Sequence, residues 1–173
     1  LKALRLVREQ VPAAHLRVAG ATTINPTYYQ ACQAFVRDAT LDDAVTFMGH
    51  LPQEEVLQEY ATSAAFILPS FQETAPMVIE QAMAAGVPSV ATRAGGVPWM
   101  IEDGVTGLTL PVPQTTDGDP QALADAILRI LQDSEGADRM GQQAIEEAKR
   151  RFRPAAVARR TFQVYRQVAG MLG

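Results

Sequence analysis

The chain has 173 residues, of which 47% are hydrophobic and 20% charged, with a formal net charge of −4. This composition is typical of a folded globular protein and excludes a mostly disordered chain. No stretch approaches the ~20 apolar residues of a membrane span. The single Cys32 excludes an internal disulfide framework, and the only two histidines make a metal cluster improbable. The net acidity argues against a nucleic-acid partner.

Helix and strand patterns alternate along the chain. Leu1, Leu4 and Val7 recur at helical spacing, and this first helix ends before residue 12. Helices also begin near Pro26 and Pro52, because proline suits the first turn of a helix. The predicted strands cover residues 15–20, 44–49, 64–70, 87–92 and 107–112. Further helices are predicted at 77–86, 97–101, 119–132, 135–151 and 154–170, with an irregular segment at 111–120.

This alternation predicts an α/β fold, with a parallel sheet covered by helices on both faces. The nearly continuous apolar run at 64–70 suits a strand that is buried on both faces. Parallel sheets of this kind bind ligands outside the carboxyl ends of their strands. We therefore expect the four loops that leave these strands to converge, at residues 20–26, 49–52, 70–76 and 93–98.

The third of these loops carries the most chemistry, because it joins a buried strand to a helix through a polar turn that contains Glu73. Backbone N–H groups at a helix start have no partner within the helix and suit a phosphate or a sugar hydroxyl. Pro76 has no N–H, so the donors come from Thr74, Ala75, Met77 and Val78. An ordinary helix N-terminus, with Glu73 favoured by the helix dipole, explains the same residues equally well.

The fourth loop, RAGGVP, is rich in glycine but has neither the dinucleotide-binding nor the P-loop spacing. Gly95 and Gly96 permit either a close approach of two backbones or a turn with positive φ. The turn alone is the commoner reason for such a pair.

The segment from Phe66 to Val112 resembles the C-terminal, donor-binding half of a GT-B glycosyltransferase of family 4, the group 1 type. The resemblance rests on Pro69-Ser70, Glu73, AMAAGVPSVAT, GGVPW and EDGVTG. More loosely, HLRVAG and VTFMGHLPQEEV resemble the second and third strands of that domain. The resemblance implies a Rossmann-like sheet and a bacterial-type retaining transferase of polysaccharide biosynthesis. Its substrate would be a nucleotide-sugar, and it would use neither a cofactor nor an obligatory metal.

The resemblance also implies roles for individual residues. Glu73 would be the catalytic residue beside the sugar, and residues 74–78 would bind sugar and phosphate. His50 and Leu51 would edge the base, although an exposed loop histidine is the plainer interpretation of His50. Gly20 would allow close approach of the nucleotide, and a plain turn explains it equally well.

Two positions depart from the family pattern. The family has a ribose-binding Glu eight residues after the first Glu, where this chain has Gln81. Glu80 precedes it, and one residue rotates a side chain by ~100° around a helix. Gln81 can still accept a hydrogen bond, without the strength of a charged acceptor. Trp99 replaces the Glu of Gly-Gly-x-Pro-Glu. An exposed indole could cap an apolar surface or an interface, but simple packing is the commoner case and is what we expect.

The predicted domain organisation is a donor-binding domain at 1–151 and a basic helix at 152–173. The family's first strand, which carries an Arg and a Lys for the diphosphate, is not found in this chain. The helix would cross back to an N-terminal acceptor-binding domain that this chain lacks, so the chain alone is expected to be inactive. Residues 146–173 hold seven basic and two acidic side chains. These side chains would lie on a solvated surface or contact either an acidic partner domain or an anionic membrane. The last alternative corresponds to a cytoplasmic enzyme with peripheral membrane contact.

Two alternatives to a hexosyltransferase stay open. A degenerate glycosyltransferase domain, used for binding, is suggested by Gln81 and by the lack of the basic loop. A sugar-nucleotide epimerase-like enzyme has a similar architecture, but we would expect more histidine and arginine in its cleft.

Overall fold

The computed structural model describes residues 1–115 and 118–171. Residues 116–117 of the predicted irregular segment, and residues 172–173 of the basic helix predicted at 152–173, lie outside the described residues. In chain order the elements are α1 (Lys2–Gln10), β1 (Leu16–Ala19), α2 (Pro26–Asp38), β2 (Val45–Gly49), α3 (Gln53–Thr62), β3 (Phe66–Leu68), α4 (Met77–Ala85), β4 (Ser89–Thr92), α5 (Val97–Met100), β5 (Gly107–Leu110), α6 (Pro120–Gln132), α7 (Ser134–Arg151) and α8 (Pro154–Met171). The predicted order of helices and strands is confirmed.

The strands form two parallel sheets. One contains β1 and β2, and the other has the order β3-β4-β5. Every ladder is parallel, as the alternation of strands and helices requires. The predicted α/β fold with parallel strands is therefore confirmed, and the strands divide into two groups.

Helices cover both faces of the three-stranded sheet. On one face, Ala91 of β4 packs with Ile79 and Met83 of α4 and with Ala144 of α7. On the other face, the neighbouring Val90 packs with residues of α6 and of the start of α7. Successive residues of a strand point to opposite faces, so β4 contributes to two cores and all four of its residues are buried.

The two sheets are joined through helices. Leu4 of α1 packs with Val36 and Val45 against the two-stranded sheet, while Ala3 and Val7 of the same helix pack on α6. Ala3 and Val7 share one side of α1 and Leu4 is rotated by ~100° from Ala3, so this helix contacts both the two-stranded sheet and α6.

Polar contacts of Arg17 in β1 reinforce this connection. Its Nε lies 2.6 Å from a carboxylate oxygen of Glu59, and its Nη2 donates to the Thr62 hydroxyl at 2.8 Å. Both partners belong to α3, which leads into β3. The Arg17 contacts therefore connect the two-stranded sheet to α3, the helix that precedes the three-stranded sheet.

The expectation for residues 64–70 is only partly correct. β3 has three residues, and Phe66, Ile67 and Leu68 are half-buried rather than fully buried. They do contribute to the cores on both faces. The reason for their exposure is position, because β3 is an edge strand with one ladder partner among the described strands.

None of the helices in the described ranges is both long and apolar enough to cross a membrane.

Ser89 offers a test of the packing in β4. It is 0% exposed, and its hydroxyl has no hydrogen-bond partner in the described part of the chain. A buried polar group without a partner costs free energy, so Ser89→Ala should raise the free energy of unfolding by about 1 kcal/mol. Urea denaturation measures this change. Thr106→Val is the matched control, because the Thr106 hydroxyl accepts from the Glu102 amide at 2.9 Å and its removal should destabilise the fold. Lower stability of Ser89→Ala would contradict this account.

A second prediction concerns low pH. The Arg8 guanidinium hydrogen-bonds both carboxylate oxygens of Asp43 at 2.9 Å and thereby lowers the pKa of that carboxyl. Because the Asp43 carboxyl has a lower pKa in the folded chain than in the unfolded chain, its charge stabilises the fold at pH values above the pKa of the unfolded chain, about 3.9. This stabilisation is lost as the pH falls through the pKa of the carboxyl in the folded chain. The difference in unfolding free energy between the wild type and Asp43→Asn should therefore be largest near pH 7 and shrink below pH ~4. Urea unfolding at several pH values measures it, and a difference independent of pH would contradict the prediction.

Candidate functional site

The residues singled out in the sequence fall into two groups, each at the carboxyl ends of its strands. Gly20, His50 and Leu51 follow β1 and β2, while Glu73 to Val78 and Gln81 follow β3. The β4–α5 loop (residues 93–96) lies against the second group. Within the described residues, no hydrogen bond or ion pair joins the two groups directly.

In the first group, the loops after β1 and β2 touch. The Gly20 amide donates to the carbonyl of Gly49 at 2.8 Å, which brings Gly20 beside His50. Gly20 has φ +154°, and a side chain at this position would meet no atom within 4 Å. His50 is exposed and Leu51 is half-buried. The three predicted residues therefore share one surface with open space above Gly20.

In the second group, the β4–α5 loop packs directly on the β3–α4 loop (residues 69–76). The Gly96 amide donates to the Thr74 carbonyl at 2.9 Å. A Cβ at Gly95 would lie 1.7 Å from the Glu73 carbonyl oxygen, and one at Gly96 would lie 2.2 Å from that of Thr74. Gly95 also has φ +51°. The interpretation of this pair as a turn alone is therefore wrong, because close backbone approach requires both glycines.

The amides of the β3–α4 loop face no internal acceptor. Within residues 1–115 and 118–171, four N–H groups at the start of α4 donate no hydrogen bond. They belong to Thr74, Ala75, Met77 and Val78. Thr74, Ala75, Met77 and Val78 are also exposed, whereas Pro76 is buried. Free N–H groups at a helix start favour an anion or a hydroxyl oxygen.

Helix α4 sets the positions of two further polar side chains. Gln81 lies one turn after Met77 and so on the same side of the helix, while Glu80 is rotated by ~100° from it. Both side chains are half-buried. The two side chains therefore point in different directions from α4.

Each of the two loops that pack together here carries one charged residue. The half-buried Glu73 lies within the β3–α4 loop, and the exposed Arg93 follows β4 directly. The described ranges contain no group of three or more His, Cys, Asp or Glu side chains that could hold a metal ion. The chemistry of these two loops is thus hydrogen bonding by amides, one carboxylate and one cation.

Sequence reasoning missed two side chains that hold this region. The Tyr60 hydroxyl, in α3, donates to the Val78 carbonyl at 3.0 Å, and the Thr92 hydroxyl donates to the Ser70 carbonyl. Burial raises the pKa of the Tyr60 phenol, which keeps it protonated as a donor. Tyr60 lies outside the motifs of the sequence analysis, and Thr92 ends the motif AMAAGVPSVAT, but only the folded chain reveals which carbonyls they contact.

The expectation that Trp99 packs is wrong, because its side chain is 79% exposed. Its backbone carbonyl accepts a hydrogen bond from Arg151, near the junction of α7 and α8. The short α5 presents the indole outward while Val97 and Met100 are buried.

A cavity of about 290 Å³ lies at the segment before β5 and is lined by Gly104, Leu108, Arg129 and Met140 among others. It contains none of the residues that the sequence singled out.

Residues 1–133 match the family described as glycosyl transferases, group 1. A D-inositol 3-phosphate glycosyltransferase of Corynebacterium glutamicum is 31% identical over 172 residues, which are 95% of this chain and 38% of that protein. This chain therefore spans well under half of the length of that relative.

Two solved structures have the same fold. The C-terminal domain of a group 1 glycosyl transferase (LpcC) from Francisella tularensis has a TM-score of 0.78 at 22% identity, over 88% of this chain and 77% of that one. The Anabaena protein HepE in complex with UDP has a TM-score of 0.78 at 24% identity, over 98% of this chain and 44% of that one. With the match over residues 1–133, these findings identify the chain as a member of the group 1 glycosyl transferases, with the fold of their C-terminal GT-B domain.

Proposed function

We propose that the chain is the donor-binding half of a retaining glycosyltransferase that moves a hexose from a nucleotide-sugar to an acceptor. The observation that carries the proposal is the row of unpaired amides at the start of α4. When the bond to the sugar breaks, negative charge grows on the diphosphate that leaves. Fixed N–H dipoles at a helix N-terminus stabilise such charge, and in this proposal they do so without a metal cofactor.

In this proposal Glu73 is the catalytic residue. Its carboxylate lies in the same loop as the amides of Thr74 and Ala75. It would orient the hydroxyls of the sugar or stabilise positive charge at the anomeric carbon. Met77 and Val78 would supply further amides, and the buried Pro76 fixes where the helix begins.

The nucleotide would extend from α4 toward the first group of residues. Gln81 would contact the ribose, since its side-chain amide can both accept and donate hydrogen bonds. His50 and Leu51 would edge the base, and the open space above Gly20 leaves room for the nucleotide. UDP is the first nucleotide to test, because HepE has this fold and binds UDP.

The rest of the enzyme would supply the acceptor site. Residues 1–151 would form the donor-binding domain, and α8 would cross to the acceptor-binding half of the same protein. Its apolar side chains lie exposed along the helix, at Val157, Phe162, Val164, Tyr165 and Val168. Basic side chains of residues 146–173 would also attract this helix to an anionic membrane surface. In this proposal the chain alone binds donor but transfers no sugar.

The separation of the strands into two sheets is an argument for a further strand between them in the complete protein. Among the described strands, β1 is bonded only to β2, and β3 only to β4. One parallel strand between β1 and β3 would pair both open edges and unite the two sheets. Such a strand would also extend the carboxyl edge at which both groups of site residues lie.

A domain that binds without catalysis is the second candidate, and Gln81 is the observation that favours it. A neutral amide hydrogen-bonds a ribose hydroxyl more weakly than a carboxylate does. Membership of the glycosyl transferase family favours sugar transfer over the epimerase-like alternative.

Titration calorimetry with UDP, GDP and ADP tests the proposal. We expect saturable binding of UDP. Gln81→Glu should tighten it roughly fivefold, because a hydrogen bond to a charged acceptor is the stronger kind. Glu80→Gln is the matched control and should change nothing, since Glu80 is rotated by ~100° from position 81. Glu73→Ala should weaken the binding of UDP-glucose more than the binding of UDP.

Absence of UDP, GDP and ADP binding by a chain that circular dichroism shows to be folded would contradict the proposal. Binding that Gln81→Glu leaves unchanged would favour the non-catalytic candidate.

A further inference from the structure

The carbonyl groups of the β3–α4 loop and of the first turn of α4 are held from outside the loop. Three different elements provide the donors. The Thr92 hydroxyl at the end of β4 donates to Ser70, the Gly96 amide of the β4–α5 loop donates to Thr74, and the Tyr60 hydroxyl of α3 donates to Val78.

A hydrogen bond that fixes a backbone carbonyl also fixes the direction of the N–H group in the same planar peptide. The described residues contain no cis peptide bond, so each carbonyl points opposite to the N–H of the next residue. The Glu73 and Thr74 carbonyls face Gly95 and Gly96. The amides of Thr74 and Ala75 therefore point away from the β4–α5 loop. The Thr92 and Tyr60 contacts hold the carbonyls of Ser70 and Val78, which lie at the two ends of the segment that carries the free amides.

The two side-chain donors cannot reach a ligand themselves. Tyr60 is 6% exposed and Thr92 is 3% exposed. The Tyr60 ring is fixed by an edge-on contact with Phe66, with ring centroids 5.6 Å apart. Their hydroxyls thus act on the loop backbone and not on a substrate.

We propose that Tyr60 and Thr92, together with the backbone of Gly96, are positioning residues for the free amides at the start of α4, and so set the affinity for a nucleoside diphosphate-sugar. The Gly96 backbone fixes the direction of the Ala75 amide, while Tyr60 and Thr92 fix the two ends of the segment that carries the free amides. This inference rests on the proposed function for its ligand. Its physical basis is general, because hydrogen bonds weaken steeply as the donor angle bends and fixed dipoles stabilise charge only when correctly aimed.

The variants remove single hydroxyls and leave the packing in place. Tyr60→Phe keeps the ring, Thr92→Val keeps the shape, and Thr92→Ser restores a hydroxyl. Tyr165→Phe is the control, because Tyr165 is 68% exposed on α8, far along the chain from the loop. Loss of one oriented hydrogen bond should weaken UDP binding about three- to tenfold in Tyr60→Phe and in Thr92→Val.

Two measurements separate this inference from the proposed function. Calorimetry gives the UDP affinity of the folded variants, and ¹H–¹⁵N spectra without ligand report the amides of Thr74, Ala75, Met77 and Val78. We expect Tyr60→Phe and Thr92→Val to weaken UDP binding and to shift these amide resonances, while Thr92→Ser and Tyr165→Phe behave as the wild type. A purely structural role would lower the melting temperature without changing the UDP affinity of the folded chain.

Wild-type UDP affinity in folded Tyr60→Phe and Thr92→Val would overturn the inference. If the wild-type chain binds no UDP, the proposed function fails, and the ligand-free spectra still decide the orienting role. Loop amide resonances unchanged in both variants would then overturn it.

Discussion

The contact between the backbones of Gly95–Gly96 and Glu73–Thr74 is the constraint on which the candidate site depends. A Cβ at either glycine would lie 1.7 to 2.2 Å from a carbonyl oxygen of the neighbouring loop. No other residue type fits there without moving that loop. Because the contact turns the carbonyls of the β3–α4 loop inward, it leaves the amides of Thr74 and Ala75 directed outward. The free amides of Thr74 and Ala75 thus follow from backbone packing between two loops, and those of Met77 and Val78 follow from their place in the first turn of α4.

The surrounding fold keeps these loops in place. Both belong to the three-stranded sheet, whose central strand β4 is buried on both faces between helices. The two-stranded sheet is attached through α1, which packs on α6, and through the contacts of Arg17 with α3. Helix α3 also carries Tyr60, so the element that connects the halves also holds the first turn of α4.

The sequence was sufficient to predict the order of elements, because apolar periodicity and proline positions mark most of the helices and strands. It also marked the β3–α4 loop, since Pro76 and the flanking residues define a helix start. Three features needed the folded chain. The exposure of β3 depends on which strands pair, the exposure of Trp99 depends on the orientation of a four-residue helix, and the contact of Tyr60 with Val78 joins residues 18 positions apart. None of these leaves a local pattern.

The most direct test of the account is to follow the backbone amide resonances of the chain while UDP-glucose is added. The account predicts saturable shifts of Thr74, Ala75, Met77 and Val78, with no change at Gly104, Leu108 and Met140 around the separate cavity. Shifts confined to that cavity, or no shifts in a well-folded chain, would contradict the claim that the free amides at the start of α4 bind the sugar donor.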